Sequence, residues 1–233
     1  MFAFKQFTVT DSQSAMKVGT DGVLLASWVE LPLQCYSILD VGSGSGIISL
    51  ILAQRTKGEV LIDAIEIDKG AVNDSEINFS ASPWSNIFNL INGNFVSYSK
   101  ECKKQYSLIV SNPPYFTENT KSPDNKRCIA RNASSLSFDS LFSGVINLLS
   151  EEGIFALVLP AKAYEEIAQI ALLKGLYLKR LTWVSTTPDS LHKRLLVEWS
   201  RKQIQYSIDT LIIPDKDGDY TSQYKSLTEE YYL

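Results

Sequence analysis

The chain has 233 residues, 45% hydrophobic and 21% charged, with 22 Lys and Arg against 26 Asp and Glu for a net charge of -4. That length holds one domain of ordinary size, and the apolar share supports a packed core while the charge is too low for disorder. The longest purely apolar stretch, Ile154 to Leu159, falls far short of the roughly 20 residues that span a bilayer, and the acidic balance argues against a generic nucleic-acid coat while leaving room for a local basic face.

In chain order, residues 1–30 carry Lys5-Gln6-Phe7 and Lys17-Val18-Gly19-Thr20-Asp21-Gly22 ahead of a predicted helix at Val23–Val29. From Ser37 onward, β-like runs at Ile38–Val41, Val60–Ile65, Ile87–Ile91, Leu108–Ser111 and Ile154–Leu159 alternate with helical patterns at Ile47–Thr56, Gly70–Phe79, Phe138–Leu149 and Ala163–Leu173. That order is the sequence form of an α/β fold, a parallel sheet with helices on both faces. Leu176–Ser185 and Leu195–Ser200 are then joined by Thr186-Thr187-Pro188-Asp189-Ser190, which has no room for a crossover helix, so the two are expected to pair antiparallel. Residues 1–233 read as one domain: a segment at 1–30, a core at 31–202 and an extension at 203–233.

Cys35, Cys102 and Cys128 lie far apart without C-x-x-C spacing, which argues against a disulfide framework or zinc knuckle and fits a reducing compartment, the cytoplasm. Met1-Phe2-Ala3-Phe4-Lys5 lacks the charged-then-apolar order of a signal peptide. His192 is the only histidine; histidine-ligated metal chemistry and Ser-His-Asp hydrolysis become minor readings, no metal is expected, and His192 itself receives no role.

The strongest element is Ile38-Leu39-Asp40-Val41-Gly42-Ser43-Gly44-Ser45-Gly46-Ile47, a strand running through a glycine-rich turn into a helix. Glycines let the backbone turn sharply and approach a ligand, and the following helix offers N–H groups at its start. A dinucleotide site reads G-x-G-x-x-G; here the spacing is G-x-G-x-G after the acidic Asp40, which resembles the first motif of class I S-adenosylmethionine-dependent methyltransferases. About 20 residues on, Glu66 is placed to accept hydrogen bonds from two ribose hydroxyls. Methylation and NAD binding both use such a carboxylate, so Glu66 alone does not separate them. In the turn Asn92-Gly93-Asn94-Phe95, Asn94 stands where that class places an adenine contact, with Phe95 as a wall for the ring.

After the fourth strand comes Asn112-Pro113-Pro114-Tyr115, at the carboxyl edge of the sheet where ligands of open α/β folds gather. An exocyclic amine or amide nitrogen is a poor nucleophile because its lone pair is delocalised, so it needs acceptors for its hydrogens as it attacks a methyl group. The Asn112 side-chain oxygen and the Pro113 carbonyl serve as those acceptors, Pro113 and Pro114 stiffen the turn, and Tyr115 supplies a planar face for stacking.

Asp40–Gly46, Glu66 and Asn112–Tyr115 together resemble the amino-methylating branch of class I methyltransferases, which acts on adenine N6, guanine N2 or protein glutamine N5. The flanks narrow it. Phe4-Lys5-Gln6-Phe7-Thr8-Val9, Ala15-Met16-Lys17-Val18-Gly19-Thr20-Asp21-Gly22-Val23-Leu24-Leu25 and the ending Asp217-Gly218-Asp219-Tyr220-Thr221 with Tyr231-Tyr232-Leu233 look like the tRNA adenine-N6 methyltransferases that modify adenosine 37 of a valine tRNA. The resemblance covers the whole chain. It implies a Rossmann-like sheet of seven mostly parallel strands with the last antiparallel, S-adenosylmethionine as cofactor and tRNA as substrate. It also implies that residues 1–30 cover the cofactor, with Lys17, Thr20 and Asp21 at its methionine end and Asp40, Gly42, Gly44, Gly46, Glu66, Asn94, Phe95 and Asn112 along it. The loop Lys121 to Arg131 would face substrate, and Asn132 stands where the family tends to have histidine. A monomer is the expectation for a chain whose sequence leaves its assembly open. Adenine rather than guanine rests on the flanks; glutamine-N5 methylation, a non-catalytic cofactor-binding module and an NAD-dependent oxidoreductase are the competing readings.

Overall fold

The computed structural model describes residues 1–114, 136–185, 192–215 and 217–233. A short hairpin, β1 (Phe2–Ala3) with β2 (Thr8–Val9), precedes helix α1 (Thr20–Trp28). The alternating core follows as β3 (Ser37–Val41), α2 (Ile47–Arg55), β4 (Leu61–Glu66), α3 (Lys69–Ala81), β5 (Phe88–Asn92), α4 (Phe95–Glu101) and β6 (Tyr106–Ser111). From residue 136 onward come α5 (Phe138–Leu148), β7 (Leu149–Pro160), α6 (Tyr164–Leu173), β8 (Tyr177–Ser185), β9 (Arg194–Ser200), β10 (Ser207–Ile212) and α7 (Ser222–Thr228).

Eight strands form the main sheet in the order β10-β8-β9-β7-β6-β3-β4-β5. β9 runs antiparallel to both of its neighbours, and the other pairings are parallel. The seven runs read from the sequence all form, the seventh antiparallel. The eighth strand, β10, comes from the extension and adds parallel to β8 at the sheet edge. Its sequence conceals it, because only Leu211 of its six residues is buried and no alternation is visible. Helices α4 and α7 were likewise not predicted; each has seven residues, two turns, too few for the 3.6-residue period to declare itself.

Central strands are apolar throughout because they are covered on both sides. Every residue of β3 and β6 is buried. Alternate side chains divide the core: Ile38, Leu108, Val110, Ala156 and Leu196 meet α1, α2, α3 and α7, whereas Leu39, Ile109, Phe155, Leu157 and Trp199 meet α4, α5 and α6. Helix α2 is buried continuously from Ile47 to Ala53, the pattern of a helix walled in on all sides.

This topology delivers the ends of β3, β4, β5 and β6 to one edge of the sheet. Because β9 is antiparallel, its first residue, Arg194, joins that same edge beside Pro160.

Candidate active site

The glycine turn leaves β3 with Gly42, Gly44 and Gly46 at φ +71°, +58° and +82°. A side chain in that left-handed region costs roughly 1–2 kcal/mol per residue, which explains three glycines in five positions. At Gly46 there is a second reason, since a Cβ would stand 2.4 Å from the Phe79 ring. Helix α3 holds the loop from below: Ser75 Oγ donates to the Gly44 carbonyl at 2.7 Å and Asn78 Nδ2 to the Ser45 carbonyl at 2.8 Å. Gly46 caps α2 with no side-chain hydrogen bond, so the helix start presents its backbone N–H groups to the cleft.

Two carboxylates flank the loop in different surroundings. Glu66 ends β4, where Oε2 accepts from Gly44 N at 2.9 Å and Oε1 accepts from Ile67 N and Asp68 N at 2.8 Å each. Three backbone donors fix its aim and fill most of a carboxylate's roughly four acceptor positions. A pair of ribose hydroxyls would thus meet one open position on Oε2 rather than two unless a backbone bond gives way. Asp40 is fully buried beneath the loop. Its Oδ2 accepts from Ser49 Oγ at 2.7 Å, while Oδ1 has no partner among the described residues, and neither does the buried Ser43 Oγ. Burial pushes the Asp40 carboxyl up to about 7, with the nearby Glu66 charge adding to the effect.

The turn after β5 is anchored to the same place, with Gly93 N and Asn92 Nδ2 both donating to the Glu66 carbonyl, at 2.9 and 3.1 Å. Asn94 is the N-cap of α4, its Oδ1 accepting from Val96 N and Ser97 N; an adenine contact falls to its remaining amide donor. Phe95 departs from expectation. Its ring is 6% exposed and packs into the core against α5, where a Cβ on Gly144 would stand 2.4 Å from it, so it closes the core rather than walling an open site.

Asn112 follows β6 directly. The register pairs Val41 with Ser111, setting Asn112 alongside Gly42, one strand spacing of about 4.8 Å away. Ser111 Oγ ties the two strand ends by donating to the Val41 carbonyl at 2.8 Å. Helix α1 passes close overhead: a Cβ on Gly22 would stand 3.3 Å from Ile47 Cγ2 and 3.8 Å from Asn112 Nδ2. Pro113 is buried and Pro114 exposed. Tyr115, Asn132 and the loop from Lys121 to Arg131 lie outside the described residues.

The N-terminal residues are placed differently from one another. Thr20 is exposed at the start of α1, whose N-cap is Gly19 without a side-chain bond, so neither Thr20 nor Asp21 caps that helix. Asp21 Oδ2 accepts instead from Arg194 Nε of β9 at 2.8 Å. Lys17 Nζ donates to the Asp11 carbonyl at 2.5 Å, which holds the ammonium against its own segment.

What the sequence reading missed is how that segment is held. The fully buried Asp74 of α3 accepts from Gln13 N, Ser14 N and Ser14 Oγ at 2.7–2.9 Å. One turn on, Asn78 exchanges hydrogen bonds with the Thr10 backbone, at 2.8 Å in each direction. Asp74 and Asn78 at i, i+4 form a polar stripe on a core-facing helix, a visible signal, but their partners are sixty or more residues away.

Among the described residues no helix is long and apolar enough to cross a membrane, and no cluster of His, Cys, Asp or Glu is placed to hold a metal ion.

A family model for the methyltransferase small domain matches residues 12–160. A tRNA1(Val) (adenine(37)-N6)-methyltransferase of Flavobacterium johnsoniae is 42% identical, covering 100% of this chain and 99% of its own length. The protein of that name from Bacteroides thetaiotaomicron is 38% identical over 100% of this chain and 97% of its own. Among solved structures, a predicted O-methyltransferase from Agrobacterium tumefaciens superposes with a TM-score of 0.69 at 16% identity, covering 91% of this chain and 96% of the other. A glycopeptide N-methyltransferase complexed with (S)-adenosyl-L-methionine gives 0.57 at 12% identity, covering 82% and 91%; these two likenesses are of fold. With more than half of its length matched and near-complete relatives at this identity, the chain belongs to the methyltransferase small domain family, as a full-length relative of the tRNA1(Val) (adenine(37)-N6)-methyltransferases.

Proposed function

We propose that the chain transfers a methyl group from S-adenosylmethionine to the exocyclic N6 of an adenine in tRNA, at position 37 of a valine tRNA as the names of its relatives state. The observation that carries this reading is the placement of Asn112 beside the glycine turn, at the edge where α1, α2 and the ends of β3 and β6 meet.

The residues present fit the cofactor. Asp40 Oδ1 and Ser43 Oγ are buried polar atoms still lacking a partner at the turn, the left-handed glycines keep the approach clear, and Glu66 offers an acceptor for ribose. Asn94 supplies an amide donor toward the adenine end, and the segment from Lys17 to Gly22 closes over the methionine end. Bound there, S-adenosylmethionine supplies an electrophilic methyl on a sulfonium. Asn112 Oδ1 and the Pro113 carbonyl accept the two N6 hydrogens, which restores electron density to the nitrogen as its bond to the methyl carbon forms and the carbon–sulfur bond breaks. One N6 proton then leaves to solvent, and the product keeps the other. Pro113 and Pro114 hold the acceptors in place without rearrangement, and Tyr115 stacks on the base.

Asn112→Ala should lower methyl transfer to unmodified tRNA by about 100-fold or more while cofactor affinity stays close to that of the parent. Labelled transfer followed by nucleoside mass spectrometry reads both the rate and the product. A full rate in the variant would defeat the mechanism, and label on protein glutamine or on guanine would move the substrate.

A further inference from the structure

We propose that the edge formed by β7, β8 and β9 carries a second binding surface, an aromatic cluster of Tyr164, Trp183 and His192 flanked by Lys162 and Lys193, which holds a nucleotide next to the methylated one. The proposal rests on the RNA-methylating reading and says where the rest of the substrate loop sits.

The strand ends there are laced together. Ala161 N donates to the Lys193 carbonyl at 3.2 Å, and Lys193 N donates to the Val184 carbonyl at 3.1 Å. This brings the end of β8, the residues before β9 and the residues leading into α6 onto one small shelf. Trp183 lies 5.2 Å from the His192 ring at 37° and 6.3 Å from the Tyr164 ring at 66°. His192 does not hang free, since its Nδ1 lies 2.7 Å from the buried Ser185 Oγ. The chain's only histidine is thus spent on an exposed, anchored ring beside a half-buried tryptophan. Rings that served the core alone would be covered; these are part-exposed at the rim, where an unstacked base finds a π-face.

The charges around them suit a phosphate chain. Lys162 and Lys193 are exposed, and Arg194 adds a third cation whose Nε is held by Asp21. Glu165 and Glu166 follow Tyr164 in the first turn of α6, where they complement the helix dipole and confine the positive ground to the strand ends. From β6 there are two strand spacings to β9 and three to β8, which carries Trp183, about 10 and 14 Å, so the shelf lies within reach of a nucleotide adjoining a base held at Asn112.

The test uses the full chain with S-adenosylmethionine bound and an unmodified anticodon stem-loop RNA. Trp183→Ala should weaken RNA binding on the order of tenfold, with the loss in KM for RNA rather than in kcat, and Trp183→Phe should recover most of it because a ring remains. Lys162→Ala with Lys193→Ala should reduce the slope of log affinity against log salt by about 1.4, two single-strand phosphate contacts. Cofactor affinity, measured on each variant, reports folding. Unchanged RNA affinity in a cofactor-binding Trp183→Ala protein overturns the aromatic shelf, and if that variant does not fold, an unchanged salt slope in the exposed lysine pair overturns the proposal by itself. A parent protein that methylates no RNA adenine overturns the functional reading and this surface with it; a parent that does, with variants that behave identically, overturns the surface alone.

Discussion

At the scale of single residues, Asp40 and Glu66 show how position decides chemistry. Glu66 ends its strand among three backbone donors, whereas Asp40, one strand over, sits fully buried beneath the turn with Ser49 as its hydrogen-bond partner. Burial holds the Asp40 proton to about pH 7 in the folded protein, against roughly 3.9 for an unfolded aspartate. As pH rises through this window the unfolded chain ionises first and is favoured, so this residue's cost begins above about pH 4 and is complete above about pH 7. Asp40→Asn should therefore match the parent near pH 4 and exceed it by a few kcal/mol at pH 8, measured by urea unfolding without cofactor at both ends. A pH-independent difference would show that Asp40 is not held protonated. The glycine turn was legible because its constraint is local: a left-handed φ admits few residues other than glycine wherever it occurs. The pairing of Asp21 with Arg194 was not legible, because 173 residues separate them and nothing near Asp21 names its partner.

At the scale of elements, the long helices and the strands from β3 to β9 were visible in the pattern, and the short helices, the N-terminal hairpin and the edge strand β10 were not. The physical reason is burial: β3 and β6 are enclosed on both faces, while β10 buries one residue. The same scale holds the attachment of the N-terminal segment to α3. Asp74 satisfies three donors from Gln13 and Ser14, and it is wholly buried. Asp74→Ala leaves these donors without an acceptor and should cost about 2–4 kcal/mol. Hydrogen exchange gives the discriminating measurement, since the Gln13 and Ser14 amides should lose protection well beyond the general loss in β3 and β6. Equal loss everywhere would mean that the segment is not held chiefly by this carboxylate. Gly70 makes the same attachment possible from the other side, for a Cβ there would stand 2.5 Å from the Gln13 carbonyl.

At the scale of the whole molecule, the two ends of the chain close on each other. Lys5 N donates to the Tyr231 carbonyl at 2.9 Å, Phe4 stacks on Phe7 at 4.8 Å and on Tyr232 at 5.7 Å, and Leu211, Tyr224 and Tyr231 are buried in the core. Removing residues 203–233 strips those three side chains, about 1.5–3 kcal/mol each, and bares the edge of β8. Against a typical total stability of about 5–15 kcal/mol, the shortened chain should melt far lower and associate through the new edge; circular dichroism and size-exclusion chromatography check both, and an unchanged melting temperature would refute the role given to the extension. The sequence alone determined the alternation of strands and helices, the glycine turn and the Asn112-Pro113-Pro114-Tyr115 segment, because each depends on periodicity, backbone freedom or the chemistry of adjacent residues. Tertiary structure alone decided that Phe95 faces the core, that Asp40 lies buried under the turn, that Asp74 holds the N-terminal segment, and that the antiparallel β9 brings Arg194 to the edge beside Asp21. Those outcomes depend on which distant segments the folded sheet sets side by side, and no local pattern records that.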